Sequence, residues 1–198
     1  MVYKSELVKI DQKVLLIDFK KIEDIIFKHT LKSYLKDTTY SKINEVWQKL
    51  DGSILPESDK SLLSLITYLF YIEGIYTLRI DVIIYYLIKT QCHDIFDDYK
   101  REFITKFDDL ANVNLATKLK FLKLHKWDEV VNICNKELRN AIAHHNFTIL
   151  DDGRIEYIKQ NGKKDYIDNL ELRRRICDID VLSAFLKIKR SEAMRKKV

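Results

Sequence analysis

Residues 137–147, ELRNAIAHHNF, bring a permanent cation, Arg139, and a group that titrates near neutrality, His144, within five positions of each other. An arginine keeps its charge at any ordinary pH and presents a planar fork of donors that matches phosphate oxygens. A histidine can take up and return a proton at pH 7, and such transfer contributes roughly 10²–10⁴-fold to a reaction rate. The two types together suit the attack of a hydroxyl on a phosphate, one moving protons and the other holding the negative charge that develops. Asn140 can hold the imidazole four positions on, orient a phosphate, or simply be solvated. His145 is expected to complete the helix C-terminus, where a cation is favourable, with tuning of the site as its second reading.

Helix geometry keeps the pair apart. Five positions turn a helix about 140° past a full circle and advance it ~7.5 Å, so Arg139 and His144 do not share a stripe. His144 instead continues the line Cys134, Glu137, Ala141. Two copies of this helix meeting across a two-fold axis would bring each Arg139 to the other chain's His144, with Ala141 and Ala143 small enough to permit close approach. RNA is a substrate of the right kind, because its 2′-hydroxyl attacks the adjacent phosphate without metal when protons are moved and charge is held. Two histidines from two chains would then serve as base and acid.

The elements that must carry this stretch are mostly helical. Only 4 Gly and 1 Pro punctuate 198 residues, which argues for long helices. Residues 5–36 repeat apolar positions at helical spacing (Leu7, Ile10, Val14, Ile17, Ile22, Ile25, Ile26), and a second helix covers Ser41 to Leu50. Gly52 and Pro56 make the clearest break. Ser58 or Asp59 is then expected to cap a long helix, apolar nearly all round, that runs to about Thr90 and must be enclosed by other elements. Residues 93–114 are acidic and mixed, expected as helix and loop. Residues 115–127 predict a basic amphipathic helix, and Asp128 is expected to cap the helix ending near Asn146. Asp152-Gly153 and Asn161-Gly162 then sit between short β-prone runs, predicting a small meander over 147–167. A last helix starts near Asp168 or Asn169. The reading is an N-terminal helical extension, 1–57, and a helical bundle, 58–198, with a β-hairpin or meander inserted before the C-terminal helix, together one compact unit.

The apolar run 62–88 is long enough to span a membrane, but Glu73, Arg79 and Asp81 are each costly in hydrocarbon, so a buried core helix is expected. Glu73 and Asp81 need partners there, from Arg79 or from lysines, and Glu73 has a second reading beside the Arg–His site, tuning one of its members. Cys92, Cys134 and Cys177 are widely spaced with no CxxC pair, as in a reduced cytoplasmic protein. Paired aspartates at 97–98, 108–109 and 151–152 lack His or Glu companions at ligand spacing and read as caps and turns; no metal or other cofactor is expected. Residues 1–112 hold 16 Lys and Arg against 18 Asp and Glu, while residues 113–198 hold 19 against 12, so a balance of −2 precedes one of +7. That excess would attract a polyanion such as RNA, or would belong to solvated helix faces.

LRNAIAHHNF resembles the R-x(4–6)-H signature of HEPN domains, in which a polar residue, often Asn, follows the arginine. The match is Arg139, Asn140 and His144, with LATKLKFL on the preceding helix and a strand-turn-strand and terminal helix after it. The likeness covers roughly residues 60–198. It implies an all-α bundle, commonly dimeric, and metal-independent endoribonuclease activity of the kind found in toxin–antitoxin, abortive-infection and CRISPR-associated systems. Arg139 and His144 would be catalytic and Asn140 supporting, with an antitoxin or other regulatory protein restraining the enzyme. The same likeness implies, as the alternative, a non-catalytic module that binds nucleic acid or nucleotide or holds a defence complex together. A subgroup with a modifiable tyrosine two residues past the histidine differs here, where that position is Asn146.

Overall fold

The computed structural model describes residues 55–91, 95–97 and 102–195, with single positions at 14, 17, 18, 41–43, 45 and 49. Leu7, Ile10, Ile22, Ile25 and Ile26 of the expected N-terminal helices lie outside the described residues; Val14 and Ile17 are buried in the core, and 41–43, 45 and 49 are helical.

The chain is mostly helical, with two small antiparallel sheets. Its axis is one continuous rod: α1 (Glu57–Phe70), a widened π turn (Tyr71–Tyr76) and α2 (Thr77–Gln91). The predicted side-chain cap at Ser58 or Asp59 is not used. The helix starts two to three residues earlier, where Pro56 lends its carbonyl to the N–H groups of Asp59 and Lys60, each at 3.1 Å. Tyr68, Ile72, Tyr76, Ile80, Ile83, Ile84 and Leu87 are removed from water, at roughly 1.5–3 kcal/mol for each large apolar side chain. The rod is long and apolar enough to cross a membrane by length and composition, but 56% of its most apolar window is buried inside the protein. Its enclosure by α4 (Leu115–Leu124), α5 (Asp128–Ile133) and α7 (Asn169–Arg195) accounts for that composition.

The costly charges in the rod find partners. Lys118 of α4 reaches Asp81 at 2.7 Å, with 0% and 7% of their side chains exposed, and Arg79 Nε donates to Ser183 Oγ at 2.8 Å. The basic helix therefore begins with a lysine pointing into the core, and it ends at Leu124 rather than Trp127.

Residues 93–114 depart from the helix-and-loop expectation. β1 (Ile95–Asp97) pairs antiparallel with β2 (Glu102–Ile104), Ile95 opposite Ile104, before the short α3 (Phe107–Leu110). Both isoleucines are buried. Two three-residue runs, each with one isoleucine and one phenylalanine, are enough for a hairpin once one face is covered by α4. The predicted meander is a three-stranded antiparallel sheet, β3 (Phe147–Ile149), β4 (Ile155–Ile158) and β5 (Lys164–Ile167), in the order β3-β4-β5. Gly153 and Gly162 hold φ of +80° and +77° in its two turns, the conformation for which glycine is suited. Gly153 is doubly required: a Cβ there would meet Glu57 Cβ at 3.0 Å.

Candidate functional site

The helix expected over 128–146 is two helices. α5 ends at Ile133, and α6 (Lys136–Ala143) starts afresh. The break comes from Asn135, a preferred cap residue, whose Oδ1 accepts the Leu138 N–H at 3.0 Å. Asp128 is the first helical residue of α5 rather than its cap, which is Trp127. Cys134 lies outside both helices, so the predicted line Cys134, Glu137, Ala141, His144 is interrupted at its first member.

The start of α6 is held on three sides. The Asn135 N–H donates to the Tyr68 hydroxyl oxygen at 2.9 Å, and its Nδ2 donates to the Tyr157 hydroxyl at 3.2 Å. Tyr157 in turn donates to Asp165 Oδ2 at 2.9 Å. Burial pushes the Tyr68 phenol far above its ordinary pKa, so it remains a neutral hydroxyl at any physiological pH. Glu137 Oε2 accepts the Gln160 N–H at 2.9 Å from the β4–β5 turn. From α7, Arg175 donates to the Asn132 and Ile133 carbonyls at 3.0 and 3.3 Å, satisfying acceptors that the end of α5 leaves open.

At its other end α6 stops by geometry. His144 is the C-cap, and His145 takes a left-handed φ of +58°. The His145 N–H donates to the Ile142 carbonyl at 3.2 Å and the Asn146 N–H to the Ala141 carbonyl at 2.8 Å, the paired bonds of a Schellman motif. His145 thus ends the helix through its left-handed backbone, a different role from the cationic one expected of its side chain.

Arg139 is fixed at the rim of a cleft. Its Nε donates to Glu73 Oε1 at 2.5 Å, and its Nη1 donates to Asn140 Oδ1 at 3.3 Å. The Arg139 and Glu73 side chains are 29% and 44% exposed. Glu73 belongs to the π turn, whose extra residue widens the coil; such bulges recur at functional sites. Thr77 closes the widened turn, its hydroxyl donating to the Ile72 carbonyl at 2.8 Å. Of the two readings of Glu73, the one beside the arginine therefore describes its position. The cleft, about 330 Å³, is lined by Glu73, Lys118, Lys136, Arg139 and Asn140 among others.

His144 is not part of that cleft. It is exposed, and its imidazole makes no hydrogen bond to a described residue; only its backbone N–H is engaged, by the Asn140 carbonyl at 3.0 Å. Asn140 spends its side-chain oxygen on Arg139, not on the histidine. One chain thus brings Arg139, Asn140 and Glu73 together and leaves His144 and His145 apart. Cys134, the nearest thiol, is buried, and burial pushes its pKa up to about 12 against the lowering pull of Arg139, which leaves it inert as a nucleophile. Among the described residues no three His, Cys, Asp or Glu side chains gather as metal ligands.

Lys136 is the site residue that the sequence reading passed over. It sits three positions before Arg139 on the face that lines the cleft, and that i,i+3 spacing of two cations is the signal for it. No family model, characterised protein or solved structure matches the chain.

Proposed function

We propose that the chain is a HEPN-type endoribonuclease that cuts RNA without metal at a site shared between two copies. The observation that carries this reading is the division of α6: Arg139 is held at a cation-lined cleft, while His144, one turn further on, offers an exposed imidazole with no described partner. A second copy supplies what one chain separates. An apolar strip is open on α1, where Leu62, Ile66 and Phe70, spaced four apart ahead of Glu73, are each nearly half exposed. Apolar area of that kind is what a partner covers.

In this reaction the 2′-hydroxyl oxygen forms a bond to phosphorus and the bond from phosphorus to the 5′-oxygen breaks. One His144 takes the 2′-proton, and the His144 of the other copy returns a proton to the leaving oxygen. Arg139 binds the non-bridging oxygens and stabilises the charge that builds on them. Asn140 holds the guanidinium. A cytoplasmic setting and a restraining partner complete the proposal, since an unchecked ribonuclease injures its host.

A second reading has its own support. The ion pair with Glu73 already occupies Arg139, which fits a non-catalytic HEPN-like module that binds nucleic acid or scaffolds a defence complex. Labelled RNA in EDTA separates the two. Cleavage by the unaltered chain, reduced about 10²–10⁴-fold by Arg139→Ala and by His144→Ala, supports the enzyme. Mixing the unaltered chain with an excess of His144→Ala tests the sharing: each mixed dimer keeps only one of the two histidines, so activity is expected to fall below the share of unaltered chain. Activity that simply tracks the amount of unaltered chain in a verified mixed dimer would overturn the shared site, and binding without cleavage by the unaltered chain would favour the module.

A further inference from the structure

The cleft beside Arg139 holds more positive charge than one arginine needs. Lys136 and Arg139 line it against the single carboxylate of Glu73, while Asp81 balances the charge of Lys118, which also lines it. Lys136 makes no ion pair with a described residue, although it stands on the same face of α6 as Arg139. Lys118 lines the same cleft while wholly buried, and its ammonium, which has three N–H donors, meets one carboxylate oxygen of Asp81 at 2.7 Å among the described residues. The start of α4 also lines the cleft. Asn114 Oδ1 caps the Thr117 N–H at 2.8 Å, and the Asn114 carbonyl accepts the Lys118 N–H at 3.2 Å. The N–H groups of Leu115 and Ala116, which also line the cleft, have no acceptor among the described residues. Lys136 and the open N–H groups of α4 are thus donors without an acceptor among the described residues. A volume of about 330 Å³ is enough for a phosphate with its sugar.

We propose that this cleft is a second phosphate subsite, in which Lys136 and the amino end of α4 bind a nucleotide phosphate adjacent to the one that Arg139 holds. The inference rests on the reading of the chain as an RNA-directed protein, and it adds which phosphate is gripped and by what. The shared chemistry is a nucleotide phosphate; its source is either an RNA strand or a free mononucleotide, and we assign it to the strand.

The test uses the full chain and a fluorescent 2′-O-methyl RNA decamer, which binds but lacks the attacking hydroxyl. Fluorescence anisotropy across a salt series is read for the unaltered protein, Lys136→Gln, Lys136→Arg and Ala116→Glu. Lys136→Gln is expected to weaken binding about tenfold and to lower the salt slope by about one counterion. Lys136→Arg restores most of the affinity. Ala116→Glu places a carboxylate in the first turn of α4, where it favours the helix yet repels phosphate. It is expected to weaken binding at least as much with an unchanged or higher melting temperature. Adenosine monophosphate and inorganic phosphate serve as competitors, and both are expected to displace the strand only at far higher concentration. Competition by the mononucleotide at or below the decamer's own concentration would overturn the assignment to a strand. Unchanged affinity and salt slope in Lys136→Gln and Ala116→Glu would overturn the subsite, even if the unaltered protein cleaves RNA. Lys136-dependent binding by a chain that cleaves nothing would sink the nuclease reading and leave the subsite standing.

Discussion

Glu73 and Asp81 leave the same apolar rod two turns apart, and each meets a cation from another helix, but the two pairs have opposite physical characters. Asp81 and Lys118 lie inside the core at 2.7 Å, away from solvent. Glu73 and Arg139 meet at 2.5 Å on the rim of a cleft, both substantially exposed. Burial makes the first pair a matter of folding, because a lone charge left there has nothing to replace water. Exposure makes the second exchangeable, since water or an anion can take either partner's place at small cost. A carboxylate in an apolar helix is thus a structural feature in one case and, on the proposed function, a competitor with phosphate for Arg139 in the other.

The largest effect expected from this contrast is on Asp81. Asp81→Asn leaves the Lys118 ammonium buried without its counter-charge, and the cost expected is about 3–5 kcal/mol, seen as a steep fall in the denaturation midpoint. Asp81→Leu combined with Lys118→Met removes both charges and should recover most of that loss. A single Asp81→Asn variant as stable as the parent would mean that the pair is not the buried unit described.

Glu73→Gln should move stability by less than about 1 kcal/mol. Its effect belongs to binding. Removing the carboxylate frees the Arg139 guanidinium and lowers the repulsion of phosphate, so RNA affinity is expected to rise about three- to tenfold at low salt and to converge with the parent at high salt. Weaker binding would show that Glu73 orients Arg139 instead of competing with the ligand for it, which would erase the contrast with Asp81.

How far these positions were legible in the chain depends on what had to be read. The turns at Asp152-Gly153 and Asn161-Gly162 announce themselves, because few residue pairs accept a positive φ. The helical rod follows from 62–88 being apolar on every side. The π turn does not, because an extra residue in a coil that is apolar all round changes no periodicity; Gly74 beside Glu73 is its only local mark. The break before α6 was written in Asn135, yet an asparagine inside an apolar period reads equally as a solvated helical residue until Tyr68 and Tyr157 are seen to hold it. Lys118 illustrates the general difficulty. Nothing within LATKLKFL distinguishes the lysine that turns inward from Lys120, which stays exposed, because the carboxylate that decides it lies in another helix. Arg139 and His144 were found by type and spacing; that they stand apart in one chain follows from helix geometry, while the engagement of Asn140 with the arginine required the fold.

A third ion pair extends the gradient from buried to exposed. Lys159 lies 2.6 Å from Asp165 in the β4–β5 sheet, and its ammonium holds the Asp165 carboxyl below the usual carboxylate range despite the slight raising effect of burial. A depressed carboxylate stabilises the fold above the pKa it has in the unfolded chain, and that contribution drains away as pH falls through the lower folded value. Asp165→Asn is therefore expected to lower the melting temperature by roughly 1–3 °C at neutral pH. The parent and variant curves should meet in strong acid, once Asp165 is protonated in both states. Because Asp165 also accepts from Tyr157, which supports the Asn135 cap, a much larger loss would mean that the sheet holds α6 more firmly than the exposed ion pair alone allows.

The smallest effect separates two neighbouring histidines. His145 holds a left-handed conformation that a side chain tolerates at a cost and glycine adopts freely, although glycine also gives the unfolded chain more freedom. His145→Gly should therefore change stability by no more than about 1 kcal/mol, in the favourable direction, with the Schellman bonds to Ile142 and Ala141 preserved. If its part is to end the helix, RNA binding and cleavage in this variant stay at parental levels while His144→Ala abolishes cleavage. A loss of cleavage in His145→Gly at undiminished stability would instead assign the proton transfer to the second imidazole. The pairing with Arg139 would then shift by one residue around the helix end, and the division of labour between the cleft rim and the exposed end of α6 would have to be redrawn around His145.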